Sequence, residues 1–311
     1  MSKSDKVEAK GLNPSYVTGF CDGESWFTVY VQKKQSLLGH QVRCVFGINL
    51  HEKDLPLLEK IQAFFNGVGA IHRHGESSFT YQVSSVSDLK VVIAHFEAYP
   101  LITKKRANYI LFLLGFIFIK IYAPAFNLIL RKEHLTHEGI EKLVSRKASM
   151  NNGQSDILKE AFPNILPVLI PEVKLPDNVD SQWIAGFVEA EGCFFVNIIK
   201  ATTKSGFAVS LMFKITQHAK DLELLGSLTS YLSCGQVYLS KDRADLVVSK
   251  LADLELIMEF FKQSALEGSK AKDLADFYRV FELVKNKAHL TEEGLEAIRT
   301  IKAGMNRGRL D

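Results

Sequence analysis

Apolar residues recur at helical spacing from residue 14 to 23, and alternating stretches follow over 26–34 and 42–50, which predicts a helix followed by a pair of strands. Asn13-Pro14 supplies a cap and a proline suited to a first helical turn. A second helix is expected over 54–65, with Asp54 as its cap and Leu57, Leu58, Ile61, Phe64 and Phe65 on one face. Alternating stretches around 69–74 and 79–84 lead into helices from about residue 88. The order is helix, two strands, helix, two strands, helices. On the first strand Phe27, Val29 and Val31 form an apolar face that belongs inside, whereas Trp26, Thr28, Tyr30, Gln32 and Lys34 share the other.

The same pattern is written twice. TGFCDGESWF, from Thr18 to Phe27, returns as AGFVEAEGCF, from Ala185 to Phe194, at an offset of 167. The run from Phe46 to Asp54 returns as Phe213 to Asp221 at that same 167. Asp88-Leu89 answers Asp253-Leu254 at 165, and the HLTxEG segment at 134–139 answers 289–294 at 155. The chain is therefore expected to be two α+β halves, 10–144 and 181–305, each αββαββα, joined by a linker over 145–180 where Pro163, Pro167, Pro171 and Pro176 are too closely spaced for a helix. The falling offset puts about ten extra residues in the first half, between Lys105 and Phe126. That window holds the apolar run Tyr109 to Ala123, which is shorter than the ~20 residues of a membrane span, contains Lys120 and is closed by Pro124. A core or interface helix is expected there, and no membrane partner.

Composition adds bounds only. With 311 residues and 47% hydrophobic ones the chain can build a sizeable core. The 38 Lys and Arg against 35 Asp and Glu leave a net charge of +3, compatible with a polyanion but too slight to argue for one. Cys21, Cys44, Cys193 and Cys234 lack metal-site spacing and are read as reduced thiols. The opening MSKSDKVEAK resembles neither a secretory signal nor a transit peptide.

The candidate chemistry lies on the repeated helix. Gly19 and Gly186 sit mid-helix, where glycine costs roughly 1 kcal/mol against alanine, and a cost repeated in both copies suggests that the two helices pack backbone to backbone. Asp22-Gly-Glu24 and Glu189-Ala-Glu191 fall at the C-terminal ends, where the helix dipole disfavours carboxylates. Brought together, such acids repel unless a divalent cation lies between them, and oxygen ligands of this kind suit Mg²⁺ completed by water and phosphate oxygens. Asp22 and Glu189 compete for the role of ligand, with capping as their plainer use. Lys105 and Lys270 occupy equivalent positions at 165, either as candidate catalytic lysines or as solvated or phosphate-contacting ones.

YVTGFCDGES and WIAGFVEAEG resemble the two signature helices of the LAGLIDADG homing endonucleases in their single-chain form, and the likeness runs along nearly the whole chain. It takes in the F-x-I-x-Q-H-x-x-D run at 213–221, the linker SMNNGQSDILKEAFPN and the HLTxEG closers, and is nearest the fungal intron-encoded subgroup. The resemblance implies four-stranded antiparallel sheets forming a DNA-binding saddle, with Glu24 and Glu191 binding metal and activating water, and cleavage of both strands of a long target. It implies Mg²⁺, with Mn²⁺ or Ca²⁺ able to substitute in binding, a monomer with internal pseudo-twofold symmetry, and a mitochondrial, intron-encoded origin. Double-stranded DNA is the implied partner. Host intron RNA is the partner under the alternative reading of a maturase or a non-cleaving binding protein of the same fold.

On that resemblance the outer strand faces enter the major groove, where Gln and Asn can pair with adenine and Lys or Arg with guanine. The candidates are Trp26, Thr28, Tyr30, Gln32, Lys34, Arg43 and Arg73 in the first half. Cys193, Phe195, Asn197, Ile199, Lys200, Thr203, Lys204, Lys214, Tyr238, Lys241 and Arg243 are those of the second. His72 and His74 are expected to touch DNA or water rather than a metal. The motif's last residue is Ser25 in one copy and Gly192 in the other, a small residue in each case.

Overall fold

The computed structural model describes residues 11–33, 40–120, 136–151, 153–203 and 206–309. Each half begins with the helix on which the repeat is clearest: α1 (Pro14–Glu24) and α7 (Ser181–Glu191). Asn13 accepts from the amide of Ser15 and Asp180 from those of Gln182 and Trp183, so both helices start on a side-chain cap. Each runs straight into a strand, β1 (Ser25–Lys33) or β5 (Gly192–Lys200).

The first half continues with β2 (His40–His51), α2 (Leu55–Phe64), β3 (Ala70–His74), β4 (Ser78–Val83), α3 (Val86–Ala98) and α4 (Lys105–Lys120). The second repeats it with β6 (Phe207–His218), α8 (Leu222–Leu232), β7 (Gln236–Ser240), β8 (Arg243–Val248), α9 (Leu251–Gln263) and α10 (Lys270–Lys285). Both sheets are antiparallel and four-stranded, in the orders β1-β2-β4-β3 and β5-β6-β8-β7. Phe27 pairs with Phe46 and Phe194 with Phe213, and these rings turn to the helices with Val29 and Val196. Helix α4 lays Phe112 on Phe27 (centroids 5.4 Å apart) and α10 lays Phe277 on Phe194 (5.3 Å), so aromatic packing fixes both sheets alike.

The apolar window is thus partly a core helix, with Tyr109, Leu111, Phe112 and Phe116 buried. The offset of 165 still holds where Phe112 of α4 answers Phe277 of α10, and residues 121–135 lie outside the described residues. The rest of the apolar run and the first HLTxEG segment through Leu135 fall there too, as does the MSKSDKVEAK opening. Among the described residues no helix is long and apolar enough to cross a membrane.

Two segments close the halves. Helix α5 (His137–Ser149) runs past residue 144, and Asn151, at φ 48°, donates from Nδ2 to the Phe27 carbonyl on the open edge of β1. After α11 (Glu292–Ala303), Asn306, at φ 56°, donates in the same way to the Phe194 carbonyl on β5. Between them one short helix, α6 (Asp156–Ala161), precedes the prolines of the linker.

Candidate functional site

Helices α1 and α7 meet along small residues. A Cβ on Gly19 would lie 1.9 Å from the Trp183 carbonyl oxygen, and one on Gly186 would lie 1.9 Å from that of Tyr16. One turn on, a Cβ at Gly23 would lie 2.2 Å from that of Ala190 and 3.1 Å from Glu191 Cγ. The close approach brings the two C-terminal ends together, and with them Glu24 and Glu191, both half-buried. Burial first, then the charge of Glu191, holds Glu24 above the usual carboxylate range. Burial raises Glu191 as well, opposed by a hydrogen bond from Gln217 and by Lys105 and Lys270.

The lysines sit at the same helix ends. Lys105 Nζ donates to the carbonyls of Cys21 (3.1 Å) and Gly23 (2.6 Å). Lys270 Nζ donates to those of Val188 (3.1 Å), Glu189 (2.7 Å) and Ala190 (3.2 Å). Each ammonium thus satisfies last-turn carbonyls and offsets the negative end of the dipole on which the neighbouring glutamate sits. Burial lowers both lysine pKa values, with the surrounding acids opposing. These are half-buried cations at the acid pair.

Asp22 and Glu189 point the other way, into the junction. Asp22 accepts from the amides of Ile102 (2.9 Å) and Thr103 (3.2 Å), from the Thr103 hydroxyl (2.6 Å) and, across the halves, from Trp183 Nε1 (2.9 Å). Glu189 accepts from the amides of Glu267, Gly268 and Lys270 and, across the halves, from the Tyr16 hydroxyl (3.2 Å). Every donor is neutral, and burial raises Asp22 to about 6. Both carboxylates hold the turn that precedes a lysine, which leaves Glu24 and Glu191 as the pair open to a ligand. A cleft of about 930 Å³ runs beside Glu24, lined with it by Leu50 and Asp54 from its own half and by Glu189, Cys193, Phe195 and Lys270 from the other.

Register sorts the strand candidates. Trp26, Tyr30, Gln32 and Arg43 lie on the sheet face away from the helices, with the Arg43 guanidinium 5.7 Å from the Tyr30 ring centre. Trp26 lies flat over Gly47, where a Cβ would come within 2.3 Å of the indole. Thr28 shares this face but is only 5% exposed, because Lys147 Nζ donates to its hydroxyl (3.1 Å) from α5. Arg73 departs from the expectation. It pairs with Phe79, on the face of Tyr81 and Val83, and lies over the Phe79 ring at 4.9 Å with Glu52 at 3.4 Å. His72 and His74 hold the outer face instead, opposite Thr80 and Ser78.

In the second half Cys193, Phe195, Asn197 and Ile199 alternate with buried Phe194 and Val196. Lys200 is exposed at the strand end, and Thr203 turns its hydroxyl back to the Phe207 carbonyl. Lys214, Tyr238 and Arg243 are on the outer face, and Lys241 is in the β7–β8 turn at φ 50°. Lys34 and Lys204 lie outside the described residues. Two residues of the site and its outer face were not singled out by sequence. Gln217 reaches Glu191 from a position inside the F-x-I-x-Q-H-x-x-D run, so a signal existed. Asp245 places a carboxylate amid the outer face, 3.1 Å from Arg243 and 3.8 Å from Lys214.

The family model described as LAGLIDADG endonuclease matches twice, over residues 17–114 and 184–281. A probable intron-encoded endonuclease of Neurospora crassa is 37% identical over 310 residues, covering 94% of this chain, which in turn spans 65% of that relative's length. The crystal structure of the I-SmaMI LAGLIDADG homing endonuclease bound to cleaved DNA superimposes with a TM-score of 0.90 at 40% identity, over 96% of this chain and 98% of that one. I-SmaMI bound to an uncleaved DNA target in the presence of calcium ions gives a TM-score of 0.89 at 39% identity, over 95% and 98%.

Proposed function

The chain belongs to the LAGLIDADG endonuclease family, and from that premise we propose that it is a monomeric, Mg²⁺-dependent homing endonuclease that cuts both strands of a long, specific DNA target. The observation that carries the reading is the pair Glu24 and Glu191 at the seam of the two halves, each beside a half-buried lysine. A protein that only binds nucleic acid gains nothing from two half-buried acids whose pKa values burial raises.

The donor set fits a divalent cation completed by its substrate. Among the described residues there is no cluster of three or more His, Cys, Asp or Glu able to cage a metal. Two carboxylates are what Mg²⁺ takes from protein when water and phosphate oxygens fill the remaining positions, and Mn²⁺ or Ca²⁺ can occupy the same oxygens. When bound, the ion lowers the pKa of water and stabilises the leaving oxygen of a phosphodiester. Glu24 and Glu191 would hold it and orient the attacking water. Lys105 and Lys270, pinned by carbonyls, keep positive charge fixed where phosphate charge builds up, without reorganising. On the outer strand faces Gln32, Asn197, Lys214 and Arg243 are suited to reading base edges, and Tyr30 with Arg43, Tyr238 and Lys241 to fixing the backbone.

The organism's own exon junction, taken from the DNA flanking the reading frame, supplies the target. A supercoiled plasmid carrying that site should be linearised by the wild-type protein with Mg²⁺ and left intact by Glu24→Gln and by Glu191→Gln. Efficient cutting by either variant would overturn the site assignment, and binding without cutting by the wild type would favour the RNA-maturase class. A reading frame found within a mitochondrial intron would fit the origin we infer.

A further inference from the structure

Asp54 and Asp221 stand at equivalent positions immediately before α2 and α8, where an aspartate ordinarily accepts from the first amides of its own helix. Neither makes that cap. Asp54 Oδ1 instead accepts from the amide of Ser269 (3.0 Å), the residue before Lys270 in the other half. Asp221 Oδ1 accepts from the amide of Lys104 (2.8 Å), the residue before Lys105. A cap stabilises the helix it opens, and both copies forgo it for the same contact across the seam. The peptide entering each lysine is therefore held from two sides: by its own half through Asp22 or Glu189, and by the opposite half through Asp221 or Asp54.

We propose that Asp54 and Asp221 are positioning residues that act in trans, each setting the lysine of the opposite half, so that reaction at one phosphate depends on an acid belonging to the other half. The inference rests on the endonuclease reading above. Asp54 also lies near enough to Glu24 to raise its pKa, so a purely electrostatic role is the competing account.

A target duplex carrying a different dye on each strand, cut under single-turnover conditions with Mg²⁺, separates them. Lys105→Met and Lys270→Met first establish which strand depends on which lysine, and opposite biases are expected. Asp54→Ala should slow the strand that Lys270→Met slows, by about 10- to 100-fold, and Asp221→Ala the strand that Lys105→Met slows. Asp54→Asn drops the charge but keeps an acceptor oxygen, and should cut both strands near the wild-type rate. Asp54→Ser can cap α2 itself but is too short to reach Ser269; it keeps the test open if the alanine variant unfolds, and should share its bias. Equal slowing of both strands, a bias following the lysine of the same half, an asparagine variant as impaired as alanine, or lysine variants without opposite biases would each overturn the inference. A wild-type protein that cuts neither strand would instead bring down the endonuclease reading, whereas failure of the inference alone leaves wild-type cutting intact.

Discussion

Gly19 and Trp183 are in backbone contact: the space where a Cβ on Gly19 would stand is occupied by the Trp183 carbonyl, 1.9 Å away, and Gly186 meets the Tyr16 carbonyl in the same way. Rigid backbone on the far side leaves nothing that can move aside cheaply. Gly19→Ala and Gly186→Ala should each destabilise the protein by about 3 kcal/mol or more, at the upper end for overpacking. Urea unfolding followed by circular dichroism checks this, and a loss within error of zero would mean that the helices do not approach so closely in solution.

The acid pair makes a pH prediction whose sign can be stated. Glu24 and Glu191 are raised in the folded protein, so the protonated forms are favoured there relative to the unfolded chain. That contribution to stability is fully present below the unfolded glutamate value of about 4.3 and is lost as pH rises through the higher folded values. In chelator, Glu24→Gln should therefore be more stable than wild type at pH 8, with the gain disappearing towards pH 4.3. Denaturant midpoints at the two pH values test it. In the proposed mechanism both carboxylates act ionised, so cleavage should fall on the acid side first.

Gln217 hydrogen-bonds Glu191, whereas the equivalent position beside Glu24 is Leu50, an apolar residue that cannot. The two centres are therefore unequal. Gln217→Leu should slow cutting of one strand by about tenfold, the scale of one lost hydrogen bond to a charged group. Leu50→Gln should narrow the gap between the strands. Single-turnover rates for the two strands give the answer.

Asp245 is a carboxylate on the face proposed to meet DNA, and it occupies Arg243 and Lys214 as well as the Thr216 hydroxyl (2.6 Å). Asp245→Asn should tighten binding to unrelated DNA and steepen the salt dependence of binding by up to about two units of log-log slope, as the two cations turn to phosphates. Filter binding over a salt series with Ca²⁺ measures both. An unchanged slope would mean that these cations never reach the backbone.

The repeat made the architecture legible. An offset of 167 matched Glu24 with Glu191 and one of 165 matched Lys105 with Lys270, and period-2 alternation separated Phe27 from Trp26 and Phe194 from Cys193. What escaped depends on contacts distant in sequence. Asp54 sits at the start of its helix as periodicity requires, but no local signal tells a capping carboxylate from one turned to Ser269. Arg73 reads as a groove contact until the pairing of β3 with β4 sets it beside Phe79. Thr28 is covered by Lys147, a helix that sequence could not dock. The proposals of magnesium dependence and mitochondrial origin rest on the likeness to known proteins and on the acid pair, not on periodicity.

Asn151 and Asn306 each hook the end of a half onto its own first strand, so that neither half borrows its final turn from the other. The chain between Asn151 and α7 is therefore a natural seam for recombination. A gene spliced there with that of a relative should yield a working chimera when the incoming half brings the matching glycine and the aspartate that grips the opposite turn. Such a hybrid would address a composite site, one flank from each parent, which gives a fused enzyme a route to new addresses without redesigning either reading surface.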